Sequence, residues 1–279
     1  MLSKLLIFIC AFIALGVLYA SWTYGSEYST WLIPTVVVGS VVIVLAPQID
    51  WWWLMRNPPK TDLQIIKMLE LKMPLFRESS PPIKKFLLHR IELFMNAFDW
   101  MPQGFETIPA DAKYVLCSYA AQLTHLREKF LFKYWEKVIF YKHPFPSPQF
   151  PKHIHNSEIF VEDNVMLFSI EALIAGFLDP YTHFPVGLYE IARVYGHSFK
   201  VNFTDAISGL SESDFEKISR KPWSWIHDGL GLDSVDPDGI AVVCFYLYPQ
   251  EMEQVVPIVF ERCAKEFGKH STTLRHGYL

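Results

Sequence analysis

Residues Leu188 to His197 read Leu-Tyr-Glu-Ile-Ala-Arg-Val-Tyr-Gly-His, and the rest of the chain is organised by what that stretch keeps and lacks. Its frame is His-Glu-x-x-His, with Tyr189 and Arg193 standing where the two histidines belong. The motif works because positions i and i+4 share one helical face, so that two imidazoles clamp one zinc ion. A glutamate beside the first histidine then serves as general base on the metal-bound water. Here Glu190 is retained and both expected ligands are gone. A neutral phenol is a poor zinc ligand, and a guanidinium, always protonated, is none at all. Ordinary zinc chemistry at this helix is therefore not expected.

The 279 residues allow a membrane anchor plus one domain large enough to bury a core. Hydrophobic residues make up 51% and mean hydropathy is +0.17, the excess being concentrated at the N-terminus. No charge occurs from Leu5 to Trp22 or from Tyr28 to Ile49. At about 1.5 Å per residue each run is long enough to cross a hydrocarbon core of about 30 Å. Trp51, Trp52 and Trp53 follow the second run as an interfacial aromatic belt would. These features predict a transmembrane helical hairpin over residues 1–56. A cleaved leader over Leu5–Ala20 is the competing reading, but Leu18 fits the −3 position poorly and a second apolar run follows at once. Lys4 flanks the first span, Arg56 and Lys60 follow the second, and the connector Thr23–Thr30 carries only Glu27. The positive-inside rule then places the N-terminus and the soluble part in the cytoplasm, at an inner or plasma membrane.

Cys10, Cys117, Cys244 and Cys263 show no CxxC spacing and sit in apolar contexts, as small core residues of a reducing compartment do. A net charge of −4 with scattered Lys and Arg gives no footprint for nucleic acid.

Beyond the hairpin, residues 57–82 read as a linker with a juxtamembrane helix over Asp62–Lys72, with Pro58 and Pro59 stiffening its start. Amphipathic spacing predicts helices over Ile83–Ala97 and Asp111–Glu128. Lys137–Tyr141 reads as a strand, and Glu158–Val161 with Val165–Phe168 as a hairpin turning at Glu162-Asp163-Asn164. Ser169 caps a helix to Phe177, and the helix bearing Glu190 follows the Asp179–Pro185 loop. A polar loop around Ser211–Asp214, a Trp-rich bend at Trp223 and Trp225, and helices over Asp238–Tyr248 and Pro249–Phe267 complete the reading. The tail Gly268–Leu279 is expected to fray.

In order and spacing these segments resemble the MtfA-like zinc-dependent peptidases. The resemblance covers roughly residues 83–267. It is carried by Ser118-Tyr119-Ala120-Ala121-Gln122-Leu123-Thr124, by Val138-Ile139-Phe140-Tyr141 with the prolines after it, and by Val165–Ser169 to Ala175-Gly176-Phe177. Asp179-Pro180 to Leu188 and Ile240-Ala241-Val242-Val243 to Tyr246 and Pro249 continue it. The resemblance implies an α+β, mainly helical zincin-like domain with a small β-sheet. It also implies a zinc cofactor, with Glu190 as general base and Tyr189 and Arg193 at the positions of the metal ligands. Some members carry N-terminal membrane spans. The downstream helix should supply a carboxylate ligand, and its positions hold Asp238 and Phe245. Three expected ligands are reduced to at most one, where a zinc site needs about three.

Other constellations are weaker. His153 and His155 form a His-x-His pair in a Pro-rich loop, which His143, His183 or His197 could complete. No Gly-x-Ser-x-Gly elbow and no Gly-rich phosphate loop is present. Trp223, Trp225 and His227-Asp228 read as packing rather than a cleft. Glu190 reads best as the partner of Arg193 at i+3. The sequence thus points to a membrane-anchored pseudopeptidase, without bound metal, that takes a protein or peptide in the former substrate groove. Rival readings are an active metallopeptidase with ligands relocated to His183, His197 or the His153/His155 pair, and a structural membrane scaffold.

Overall fold

The computed structural model describes residues 2–205 and 209–268, in two compact units, Met1–Lys60 and Thr61–Leu279. The frayed tail expected after Gly268 lies outside the described residues.

The first unit comprises α1 (Leu2–Tyr24), a 3₁₀ turn (Ser26–Trp31), α2 (Leu32–Val44) and α3 (Ala46–Arg56). Gly25, at φ 133°, makes the reversal after α1 with a backbone few L-residues adopt. The α1 helix and the Ser26–Val44 segment are each long and apolar enough to cross a membrane. Phe8, Phe12, Leu15 and Ile33 are largely exposed on them, so their apolar surface is not buried within the unit. The second run is not one helix, as its composition suggests. Pro47 has no N–H to continue the ladder and sits in the first turn of a new helix, α3, which holds the three tryptophans. The Ser3 amide and hydroxyl both donate to Asp50, at 2.8 and 2.6 Å. The start of α1 is thereby capped by α3, which puts both ends of the hairpin on one side.

The second unit is mainly helical around a small sheet. In chain order it runs α4 (Leu63–Lys72), α5 (Pro74–Glu78), α6 (Pro81–Ala97), β1 (Asp99–Gln103) and α7 (Ala110–Thr124). Then come β2 (Lys137–Tyr141), β3 (Ser157–Phe160), β4 (Val165–Ser169), α8 (Ile170–Leu178) and α9 (Val186–Phe199). The chain closes with α10 (Glu212–Ser219), α11 (Ser224–Leu230), α12 (Pro237–Leu247), α13 (Pro249–Val255) and α14 (Pro257–Phe267). The sheet order is β1-β2-β4-β3, with β1, β2 and β4 parallel and β3 an antiparallel edge strand. Val138 and Phe140 of β2 and Met166 and Phe168 of β4 pair in register and are fully buried.

Several elements depart from the sequence reading, each for a local reason. Asp99–Gln103 has no alternating pattern and holds Pro102, yet it pairs along β2, because an edge strand tolerates proline. The helix expected to reach Glu128 stops at Thr124. Arg90, buried on α6, donates to the Thr124 and Arg127 carbonyls and so ends α7 with a side-chain cap. Burial lowers the Arg90 guanidinium to about 10, and Phe86 and Phe130 cover it at 4.5 and 4.2 Å. The Ser211–Asp214 loop is a reciprocal capping box that starts α10. The Trp-rich bend is the start of α11, and Pro257 splits the last helix in two.

The core lies where α7, α9 and α12 meet. Val115–Thr124, Val186–Ala192 and Gly239–Phe245 are buried without interruption. Such all-round burial marks central helices rather than amphipathic surface ones. Close approach is made possible by glycine. A Cβ at Gly187 would lie 2.4 Å from Leu173 Cδ1 and 2.9 Å from the Tyr119 ring, and one at Gly239 would lie 2.6 Å from the Tyr189 ring.

Candidate functional site

Helix α9 carries the Leu188–His197 stretch into this core. Glu190 is 1% exposed, and both of its oxygens are engaged. Oε1 accepts from the Ser157 hydroxyl at 2.9 Å, and Oε2 accepts from Arg193 Nη1 at 2.7 Å. The i,i+3 pair is therefore made as the spacing predicts. Arg193 keeps 23% of its side-chain surface, and its Nε lies 3.7 Å from Asp236 Oδ2. Its guanidinium also stands 5.5 Å from the Tyr189 ring centroid.

Asp236 is the N-cap of α12, accepting from the Gly239 amide at 2.9 Å. Its own amide donates to the Tyr189 hydroxyl at 2.8 Å. Tyr189 and Arg193 thus both reach the start of α12, one through backbone and one through charge. Asp238, expected to join this cluster, does not. Its Oδ1 accepts from the Phe203 amide, the Thr204 amide and the Thr204 hydroxyl at 3.0, 2.6 and 2.6 Å, tying the segment after α9 to α12. The acid beside Arg193 is Asp236, because α12 begins there and its N-cap faces α9. Phe245 is wholly buried against Phe260 and Phe267.

Burial governs the electrostatics. Loss of solvation raises the Glu190 carboxyl above its ordinary value, even though Arg193 and Ser157 favour its anion. Burial also works against charge on Arg193, but Glu190, Tyr189 and Asp236 outweigh it and raise the guanidinium further. The two partners differ because Glu190 is sealed while Arg193 keeps contact with water. Burial pushes the Tyr189 phenol up as well. As donors these side chains do not fit a divalent ion. One is a neutral phenol, one is a permanent cation, and the Glu190 carboxylate already has a partner on each oxygen.

The scattered histidines fall in separate surroundings. His155 is fully buried, with Nδ1 3.1 Å from the His153 carbonyl and Nε2 3.1 Å from Glu158 Oε2. A carbonyl only accepts, so Nδ1 holds a proton. His153, His183 and His197 are exposed, and His143 pairs with Glu171 at 2.9 Å. Among the described residues no three His, Cys, Asp or Glu side chains converge. Trp225 packs on Phe184 and Phe215 and donates to the Thr182 carbonyl at 3.2 Å, as a packing residue does.

Ser157 and Asp236 were not legible as site residues. Asp236-Pro237 does read as an N-cap followed by proline at N1, which is a local signal. Ser157 has none, since its role comes from β3 lying against α9.

Comparison with protein-family models, with curated proteins and with solved structures returned no match.

Proposed function

We propose that the second unit is a degenerate zincin-like domain of the MtfA-like peptidase type that acts by binding a protein or peptide, not by hydrolysing one. One observation carries the reading: the would-be base Glu190 is clamped between Arg193 and Ser157. A general base must be free to take a proton from water held within hydrogen-bond reach. Here one oxygen faces a permanent cation and the other a hydroxyl, on a residue sealed from solvent. Arg193 occupies the second ligand position and supplies fixed positive charge where the family pattern has a metal. The binding surface is the partly open ground around Arg193 and Asp236. The apolar helices of the first unit anchor the protein as a hairpin in an inner or plasma membrane, with the second unit in the cytoplasm.

The experiment is a peptidase assay on the full chain with an unstructured protein substrate, beside zinc analysis after dialysis against a weak chelator. The expected result is neither cleavage nor stoichiometric zinc. Restoring both histidines, Tyr189→His with Arg193→His, should still give no cleavage, because Phe245 supplies no carboxylate and Tyr189 loses its bond to Asp236. Chelator-sensitive cleavage by the unaltered chain that disappears in Glu190→Gln would overturn the proposal.

A further inference from the structure

The start of the second unit is charged unlike the rest of it. Residues 61–90 carry six Lys or Arg against three Asp or Glu, whereas residues 91–279 carry 16 against 24. A basic stretch on an acidic body gives the molecule one region that an anionic surface attracts. That stretch forms α4, α5 and the first half of α6. Six residues, 57–62, join α3 to α4, a link that spans at most about 20 Å.

Its outward face is apolar as well as basic. On α4, Ile65 and Leu69 are buried, while Leu63 and Leu71 are 72% and 64% exposed. Exposed Lys67 lies between these two leucines, and the spacing i, i+4, i+8 puts all three on one side of the helix. Lys84 donates to Glu70 at 2.8 Å, which joins the first turn of α6 to α4. Around that turn Ile83, Lys85 and Phe86 are exposed too. Arg90 is buried and Lys72 donates to the Leu178 carbonyl, so Lys67 and Lys85 are the cations turned outward. Burial of a large apolar side chain is favourable. Four left in water on one short stretch mark a surface that something outside the fold covers.

We propose that α4 and the start of α6 dock on an anionic lipid surface. Leu63, Leu71, Ile83 and Phe86 enter the headgroup region, and Lys67 and Lys85 meet lipid phosphates and carboxylates, their stems lying along the apolar side chains. The proposal rests on the reading of the first unit as a membrane anchor, and adds a face by which the second unit holds the bilayer. Exposed leucines among the lysines separate this surface from a nucleic-acid footprint, where apolar side chains gain nothing from the phosphates. The short link to α3 gives lipid a high effective concentration against any soluble partner.

The test is bromolipid quenching of a bimane label on single cysteines of the full chain, in phosphatidylcholine nanodiscs with or without phosphatidylserine. The background is Cys10→Ser, the other three cysteines being buried. Labels go on Leu71→Cys and Ile83→Cys, on Ile33→Cys of α2 as the lipid reference and on Ile258→Cys of α14 as the control, all at exposed positions. The expected result is quenching at residues 71 and 83 that is strong with phosphatidylserine and weak without it. Ile33→Cys should be quenched in both discs and Ile258→Cys in neither. Each lysine beside an anionic membrane contributes roughly fivefold in binding, so Lys67→Gln with Lys85→Gln should lower the docked-to-free ratio roughly 25-fold. Quenching at Ile33→Cys alone overturns the proposal and leaves the anchor standing, whereas no quenching at any site removes both. Labels at 71 and 83 that are hidden from aqueous iodide yet unquenched by bromolipid would mean that a protein covers this face, which also overturns it. So does quenching that is indifferent to phosphatidylserine and to loss of the two lysines.

Discussion

Replacing Arg193 by alanine tests whether a fixed guanidinium holds the centre of the second unit together. The variant leaves Glu190, 1% exposed, with the Ser157 hydroxyl but without its counter-charge. Breaking a buried pair by removing one partner costs about 3–5 kcal/mol, against about 0–1 for an exposed pair. Arg193 keeps 23% of its surface and Ser157 still bonds Oε1, so the lower end applies, about 3 kcal/mol. In a unit of roughly 220 residues each kcal/mol moves the melting point by about 2–4 °C. Arg193→Ala should therefore melt about 6–12 °C below the unaltered protein. The assay is near-ultraviolet circular dichroism of the full chain in nanodiscs. Adding Glu190→Gln should restore part of the loss, since the stranded charge goes while the guanidinium's contact with the Tyr189 ring does not return. A shift within about 2 °C, the scale of a surface change, would show Arg193 to be a solvated helix face and refute the reasoning. An additive double mutant would show that the two residues do not act as a pair.

Glu190 also predicts a pH dependence of fixed sign. Its carboxyl is raised in the fold above the ordinary 4.5, so its contribution to stability is fully present below 4.5 and is lost as pH rises through the folded value. Subtracting the Glu190→Gln denaturation profile should leave a curve that falls with pH from about 4.5 upward; a rising one would mean that Arg193 outweighs burial. Gly239→Ala should destabilise the unit by about 1–3 kcal/mol, because the added Cβ would meet the buried Tyr189 ring at 2.6 Å. Urea denaturation checks this, and an unchanged midpoint would show that α9 and α12 part easily. Reporters should read as cytoplasmic after Leu279 and as exported within Thr23–Thr30, and the reverse pattern would refute the hairpin's orientation.

Local chemistry in the sequence was enough to define most elements. The Ser169 cap, the β-branched run Lys137–Tyr141 and the turn at Asn164, which takes φ 54°, all act within a few residues and stand where the pattern puts them. The Glu190–Arg193 pair was legible for the same reason, since helix geometry alone brings i and i+3 together. The ends of elements were less so. Whether α7 runs to Glu128 or stops at Thr124 depends on Arg90, 34 residues upstream, and whether Asp99–Gln103 is a strand depends on a neighbour with an open edge. Only the tertiary structure could choose Asp236 over Asp238 as the acid beside Arg193. Both lie at the start of one helix, and the packing of α9 on α12 at Gly239 turns one towards the guanidinium and the other towards Thr204. Ser157 likewise belongs to Glu190 through the placement of β3 against α9. Spacing along the chain fixes which side chains share a face, but which faces meet is set by packing between segments far apart in sequence.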